Sequence, residues 1–125
     1  MRTLTDNYTE NLELLARALR VNDSFDLLKK TLTLSDGELT FYYIDGFVKD
    51  AVMQKLMTQL LTLKKMPSSA KELMATGVPY VETDLTEDLD RMINAVMSGA
   101  ALMIGTGLGS RAILIDKTTQ KKTTP

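Results

Sequence analysis

The sequence predicts an α/β domain of the mixed α+β kind, with helices packed on a mixed sheet, and three observations support this fold class. Apolar residues recur at helical spacing in several segments, short apolar or alternating runs typical of strands lie between them, and turn residues separate the two. The predicted order is α-β-β-α-(α)-β-α-β-β, which forms two similar halves that each hold a helix followed by a hairpin. For 125 residues we expect one domain over 1–116 and a polar linker or tail over 117–125.

The first predicted helix runs from about Asp6 to Arg20. Its apolar face recurs at a spacing of 3.6 residues and consists of Leu12, Leu15, Ala16 and Leu19. Asp6 or Asn7 is a suitable N-cap, because short polar side chains accept hydrogen bonds from the first free backbone N–H groups.

A hairpin is predicted next. Leucines alternate with polar residues towards Leu34, which favours a strand over Phe25–Leu34, although Leu27–Leu28 equally fits the end of a short helix. Asp36-Gly37 predicts a turn with positive φ. The returning strand, Leu39–Ile44, is nearly all apolar or aromatic, so we expect both of its faces to be buried.

Two helices and a strand are predicted to follow the hairpin. The first helix spans about Lys49–Leu63, and a short second helix begins at Ser68 or Ser69 and closes at Gly77. A strand is expected over Val78–Thr83. The predictions also place Asp84, with Glu87, in a capping box for the next helix.

The second half ends in another helix and another hairpin. Gly99 is expected to cap that helix, whose inward residues are predicted to be Leu89, Met92, Ile93, Val96 and Met97. Ala100–Ile104 reads as a buried strand, and Arg111–Asp116 is expected to pair back with it. The eight methionines favour core filling, with an adaptable binding groove as the alternative.

Composition excludes several classes of function. The chain has no Cys and no His, which removes disulfides, thiolate metal sites, catalytic triads and the commonest general base. An enzyme of phosphoryl or acyl type would have to work with carboxylates, Lys, Tyr or Ser, and no phosphate motif is complete, so we expect no enzyme, no metal and no cofactor. The net charge of -1 gives no reason to expect nucleic acid. No apolar run reaches the ~18 residues of a membrane span, and no signal peptide is visible, so on its own the chain is expected to be soluble and cytosolic.

Two motifs have both a functional and a structural interpretation. Gly105-x-Gly107-x-Gly109-Ser110 resembles a phosphate-binding loop, but such loops require a following helix and here a strand is predicted. A hairpin turn is therefore favoured over an anion or ligand loop. A helix start is likewise favoured over a divalent-cation site for the acidic residues Glu82, Asp84, Glu87, Asp88 and Asp90.

The junction between the second predicted strand and the following helix carries Asp45, Lys49 and Asp50. In open α/β sheets this end of a strand is the usual ligand position, whereas a helix cap is the simpler interpretation. Tyr42, Tyr43 and Phe47 are expected in the core.

Several segments also stand in a recognisable order. They are the strand FDLLKKTLTL, Tyr43-Ile44-Asp45-Gly46 at a strand end, the helix Val52–Leu61, Met97-Ser98-Gly99 at a helix end, and the hairpin strands Ala100–Gly105 and Ala112–Asp116. In this order they resemble the N-terminal cytosolic domain of the spore germination A-subunit family, over roughly residues 24–116. Two details, at 46–50 and 78–82, are similar to one branch of that family. The chain departs from the family pattern at 117–125, which keeps only the proline of an Arg-x-x-x-Glu-Pro ending.

The resemblance implies a non-enzymatic role. Members of the family sit in the inner membrane of the dormant spore, in assemblies that respond to germinants and release ions, and this part would lie on the cytosolic face. The implied partners are other subunits of the germination complex or the remainder of its own chain. Membrane association would come through the family's downstream helices, so we expect this chain to be part of a longer protein.

We place the expected contact surface at the strand–helix junction, with Tyr43, Asp45, Gly46, Lys49 and Asp50 as its residues. A small-molecule sensor, with a pocket at the glycine hairpin or at the strand ends, is the alternative function.

Overall fold

The computed structural model describes residues 2–20, 26–45, 50–63, 65–66, 69–77 and 81–120. Within these residues the chain alternates helices and strands in the order predicted. The elements are α1 (Tyr8–Ala18), β1 (Leu27–Leu34), β2 (Gly37–Ile44), α2 (Asp50–Leu61), α3 (Ala70–Gly77), β3 (Val81–Thr86), α4 (Leu89–Met97), β4 (Ala101–Gly105) and β5 (Ala112–Gln120).

All five strands belong to one sheet with the order β1-β2-β4-β5-β3. The α/β class with helices packed on a sheet is confirmed, but every strand pair is antiparallel, so the sheet is not mixed. The reason lies in the connections: β1–β2 and β4–β5 are hairpins, and the chain returns through α2, α3, β3 and α4 so that β4 runs against β2. The two predicted hairpins therefore share one sheet.

Apolar layers cover both faces of this sheet. One face packs against α2 and α3 through residues such as Phe41, Leu56 and Leu73. The other packs against α1 and α4 through residues such as Leu15 and Met92. Strand β2, which lies between β1 and β4, is buried on both faces from Leu39 to Tyr43, as its continuous apolar run predicted.

The helix ends follow the capping chemistry of the sequence. The Asn7 side chain accepts a hydrogen bond from the Glu10 N–H and caps α1, and the Ser69 hydroxyl accepts one from the Glu72 N–H at 3.1 Å. Gly99, with φ 111°, ends α4 as predicted. The Ala100 N–H bonds to the Ala95 carbonyl at 2.9 Å, which is the backbone pattern of a glycine-terminated helix.

The predicted capping box at Asp84 is wrong. Asp84 lies in β3, which ends at Thr86 and not at Thr83, and residues 78–80 are outside the described part of the chain. Asp88 is the N-cap of α4, since its side chain accepts from the Asp90 N–H at 3.0 Å. An acidic residue was correctly expected at the helix start. The wrong one was chosen because the sequence has several acidic residues in this segment.

The first hairpin also turns differently from the prediction. Gly37 pairs with Leu34 inside the ladder, so the turn consists of Ser35 and Asp36. Positive φ values occur among the described residues at Arg20, Gly99, Gly107 and Gly109, and not at Gly37. Gly37 is needed for space instead, because a Cβ there would lie 2.6 Å from Met66 Cγ.

Two further boundaries differ from the expectation. Strand β5 continues to Gln120 because its backbone pairs with β3, including Val81 opposite Gln120. Residues 117–120 are therefore strand, although they lack apolar side chains, since backbone hydrogen bonding does not require them. Met97, predicted to point inward, is 46% exposed because it lies about 100° round the helix from buried Val96.

Candidate functional site

A groove lies where the first hairpin meets α2. Its volume is about 470 Å³, and it is lined by Lys30, Tyr43, Met53, Gln54 and Met57. We call it the α2 groove.

The strand side of the groove follows from the register of β1 and β2. Residues two apart in a strand share a face, so Lys30 shares the face of Leu28 and Leu32, which pack against the core under α2. Tyr43 pairs with Leu28 and is buried in the same core. Lys30 is thus a single charged residue in a row of leucines on the α2 side of β1.

The helix side of the groove comes from one turn of α2. Met53 and Met57 are four residues apart and so lie on one face of the helix. Met53 is buried, Met57 half-buried and Gln54 exposed. The helix is anchored to the sheet by Leu56 and Leu60, which are fully buried.

These side chains suit binding better than catalysis. The Lys30 ammonium attracts a carboxylate, the Gln54 amide both donates and accepts hydrogen bonds, and methionine side chains adapt to apolar surfaces of different shapes. The lining contains no nucleophile with an adjacent base. Across the described part of the chain, no group of three or more acidic, His or Cys side chains is arranged to hold a metal ion.

The structure places only part of the predicted contact surface. Tyr43 is a buried wall of the α2 groove. Asp45 is exposed at the end of β2, where its N–H donates to the Asp26 carbonyl at 2.8 Å. Gly46 and Lys49 lie outside the described residues, and Asp50 is described by its backbone alone. The contact role of all five residues remains a prediction.

Each glycine of the predicted anion loop has a conformational or packing reason. Gly105 ends β4, and a Cβ there would lie 2.6 Å from Leu39 Cδ2. Gly107 and Gly109 have φ values of 80° and 68°, which side chains adopt only with strain. The element that follows is strand β5, as the sequence predicted, so the loop does not lead into a helix N-terminus as a phosphate-binding loop does.

Carboxylates surround this loop. The Ser110 hydroxyl donates to Glu87 Oε1 at 2.6 Å, and a Cβ at Gly109 would lie 3.3 Å from Asp6 Oδ1. The Thr106 N–H is already bonded to the Glu38 carbonyl. These surroundings favour a structural turn, so an anion loop stays a prediction without support from the geometry.

Four of the five acidic residues near α4 have a partner, with Glu87 bonded to Ser110, and the side chain of Glu82 lies outside the described part of the chain. Arg91 donates to Asp84 and Arg2 pairs with Asp90, while Asp88 caps the helix. The hydrogen bond from Arg91 is the main cause that lowers the pKa of Asp84. Asp88 and Asp90 thus match the predicted helix start, whereas Asp84 belongs to β3, and these contacts give no support to a cation site.

The α2 groove and the role of its lysine were not predicted from the sequence. The available signal was the pattern Leu28-x-Lys30-x-Leu32, in which a lysine interrupts an apolar face. The pattern was hard to recognise because Lys29 lies next to Lys30, and a pair of adjacent lysines is usually interpreted as solvent-exposed.

Comparison with known proteins gives consistent matches. The family model of the Bacillus/Clostridium GerA spore germination proteins matches residues 14–125. Stage V sporulation protein AF of Bacillus subtilis (strain 168) is 26% identical over 113 residues, which cover 88% of this chain and 23% of that protein. It represents the branch to which 46–50 and 78–82 were predicted to be similar, so the predicted resemblance is confirmed.

A solved structure has the same fold. The N-terminal domain of the A subunit of the Bacillus megaterium spore germinant receptor GerK3 matches with a TM-score of 0.72 and 21% identity. The match covers 94% of this chain and 49% of that one. The chain thus spans about half of the solved domain and less than a quarter of the Bacillus subtilis relative. In the part that the structure describes, no helix has the length and hydropathy required to cross a bilayer.

Proposed function

The chain belongs to the GerA family of spore germination proteins, and from this premise we propose that it is a non-catalytic interaction domain that relays a signal within a germination assembly. Its partners would be neighbouring subunits or the remainder of a longer parent chain. Its position would be the cytosolic face of the spore inner membrane. The relative that is an A subunit of a germinant receptor supports a role within a multi-subunit complex.

The observation that carries the proposal is the α2 groove. It joins Tyr43, from the predicted contact surface, to Lys30 of β1 and to Met53 and Met57 of α2. Apolar walls with one charged group are typical of sites that bind a protein segment or a ligand, and an apolar surface that only fills a core rarely includes a lysine. A catalytic role has no comparable support.

Assembly of variants tests the proposal. Tagged chain is expressed in sporulating Bacillus subtilis, and the germination proteins recovered with it from detergent-solubilised spore membranes are quantified by mass spectrometry. We expect Lys30→Ala with Met57→Ser, and separately Asp45→Ala with Lys49→Ala, to reduce the recovered subunits while leaving the fold intact. Lys71→Ala, on the exposed surface of α3, is the matched control. Unchanged recovery with both double variants would contradict the proposal.

The same groove favours a small-molecule sensor as a second candidate. A volume of about 470 Å³ lies within the range of pockets that bind small ligands. A thermal-shift screen against amino acids, sugars and nucleotides distinguishes the two functions. A shift that Lys30→Ala abolishes would favour the sensor, and the absence of any shift would count against it.

A further inference from the structure

The outer edge of β1 is unpaired among the described residues. The sheet order is β1-β2-β4-β5-β3, so β1 has a neighbour on one side only. It is eight residues long and pairs with β2 along its whole length. An edge of this kind presents a row of free backbone N–H and C=O groups to any strand that approaches.

The register identifies those free groups. The Asp45 N–H donates to the Asp26 carbonyl, so Asp26 and every second residue after it bond to β2. The intervening residues direct their backbone groups away from the sheet, and they are Leu27, Lys29, Thr31 and Thr33. The Thr31 and Thr40 hydroxyls, 3.0 Å apart, agree with this, because side chains approach most closely in pairs that are not hydrogen-bonded.

The edge is accessible and positively charged at its centre. Lys29, Lys30, Thr31 and Thr33 are all exposed. Ion pairs of the described residues include Arg2 with Asp90 and Arg91 with Asp84, and neither Lys29 nor Lys30 takes part in one within that part of the chain. Lys29 lies on the α1 face and Lys30 on the α2 face, because successive side chains point to opposite sides.

The α2 groove opens beside this edge. Lys30 belongs to both, since it is a residue of β1 and a wall of the groove. A strand added next to β1 would direct every second side chain to the sheet face that α2 covers. Lys30 and Met57 lie on this face. Backbone pairing would then supply affinity, and the groove would select the side chain that enters it.

We propose that the β1 edge docks an extended segment of a partner protein, which adds a strand beside β1 and places a carboxylate against Lys30 at the α2 groove. This inference rests on the proposed interaction function and specifies its surface and the chemistry of the partner. Cross-strand pairs of opposite charge stabilise a sheet and like charges destabilise it. The lysines therefore select an acidic strand and reject a basic one.

A second copy of this chain fits the edge less well. Pairing two β1 strands about their centres would bring the lysines of one copy towards those of the other. Lysines on edge strands also discourage indiscriminate pairing. That role does not require an apolar groove beside them, whereas selection of an acidic partner uses both features.

Peptide binding to the full 125-residue chain tests the proposal. The probe is an acetylated and amidated octapeptide of alternating Thr and Val with one central Glu, titrated into ¹⁵N-labelled chain and followed by NMR. We expect the largest shifts at the amides of Lys29, Thr31 and Thr33. Replacing the central Glu of the peptide by Lys should weaken binding by about tenfold or more.

Two controls make the result specific to strand pairing. N-methylation of one alternate set of peptide amides should abolish binding, while methylation of the other set should preserve it, because only one set faces β1. Lys30→Glu should reverse the preference between the Glu and Lys peptides, and Lys71→Glu should not. Binding that both methylated peptides retain, or a preference that Lys30→Glu leaves unchanged, would overturn the proposal.

The remaining outcomes are equally decisive. No binding of the Glu peptide at millimolar concentration overturns strand docking, and so does self-association that shifts the same amides without peptide. If recovery of germination subunits still depends on Lys30 and Met57, the interaction function stands and only strand docking fails. If the peptide binds but recovery is unchanged, docking stands and the proposed function fails.

Discussion

Tyr42 places a hydroxyl group in the core between the sheet and the helices α1 and α4. The residue is fully buried, and its Oη has no hydrogen-bond partner among the described atoms. Burial, with a smaller contribution from neighbouring Tyr8, raises the pKa of the phenol well above its usual value of 10.0. A buried hydroxyl without a partner costs about 1–3 kcal/mol, so at this position the ring stabilises the fold and the hydroxyl opposes it.

Tyr42→Phe should therefore keep or increase the free energy of unfolding at pH 7, by up to about 1 kcal/mol. Above pH 10 the difference in the free energy of unfolding between the variant and wild type should increase in favour of the variant. There the unfolded chain releases the phenol proton while the folded chain retains it, so wild type loses up to about 1.4 kcal/mol per pH unit. Urea unfolding of both proteins at pH 7 and pH 11 checks this. A variant that is less stable by more than about 1 kcal/mol at pH 7 would show that the hydroxyl has a partner.

Gly37 illustrates a glycine kept for space and not for its backbone freedom. Gly37→Ala should lower the free energy of unfolding by about 1–3 kcal/mol, because the added Cβ would overlap Met66 Cγ at 2.6 Å. In a Met66→Ala background the same substitution should cost less, since the crowded atom is gone. A double-mutant cycle measured by urea unfolding tests this, and equal costs in the two backgrounds would contradict it.

At the level of elements, the strands β1, β2 and β4 and the approximate ranges of the helices could be predicted from apolar patterns. The end of strand β3 was predicted three residues too early, because VETDLT combines weak alternation with acidic residues that also suit a helix start. The end of β5 was missed for a different reason. Residues 117–120 are held by backbone pairing with a distant strand, and a sequence of polar side chains does not reveal it.

The start of α4 gives a prediction that separates the two assignments of its cap. Asp88→Ala should lower the free energy of unfolding by about 1 kcal/mol, because the first turn loses its side-chain acceptor. Asp84→Ala should cost less than about 0.5 kcal/mol, because its ion pair with Arg91 is largely exposed. Thermal and urea unfolding of both variants provide the measurement. A greater cost for Asp84→Ala would restore the cap predicted from the sequence.

At the level of the whole molecule, one antiparallel sheet unites the two predicted hairpins and leaves β1 at an edge. The fold class was predictable because both hairpins carry strong local signals. The α2 groove was not, since it depends on which strand α2 covers and on which face Lys30 points to. Of the predicted contact residues, Tyr43 reaches the groove because it lies on the face that α2 covers, and strand alternation alone cannot say which face that is.

The most direct test of the interaction function uses the absence of cysteine from the chain. One variant has a single cysteine in place of Gln54 in the α2 groove, and a second has it in place of Glu13 on the exposed face of α1. Each cysteine carries a benzophenone cross-linker. Each labelled chain is mixed with spore membranes of Bacillus subtilis and irradiated, and adducts are identified by mass spectrometry. We expect an adduct with a spore germination protein from position 54 and none from position 13. Equal adducts from both positions, or no germination protein at position 54, would contradict it.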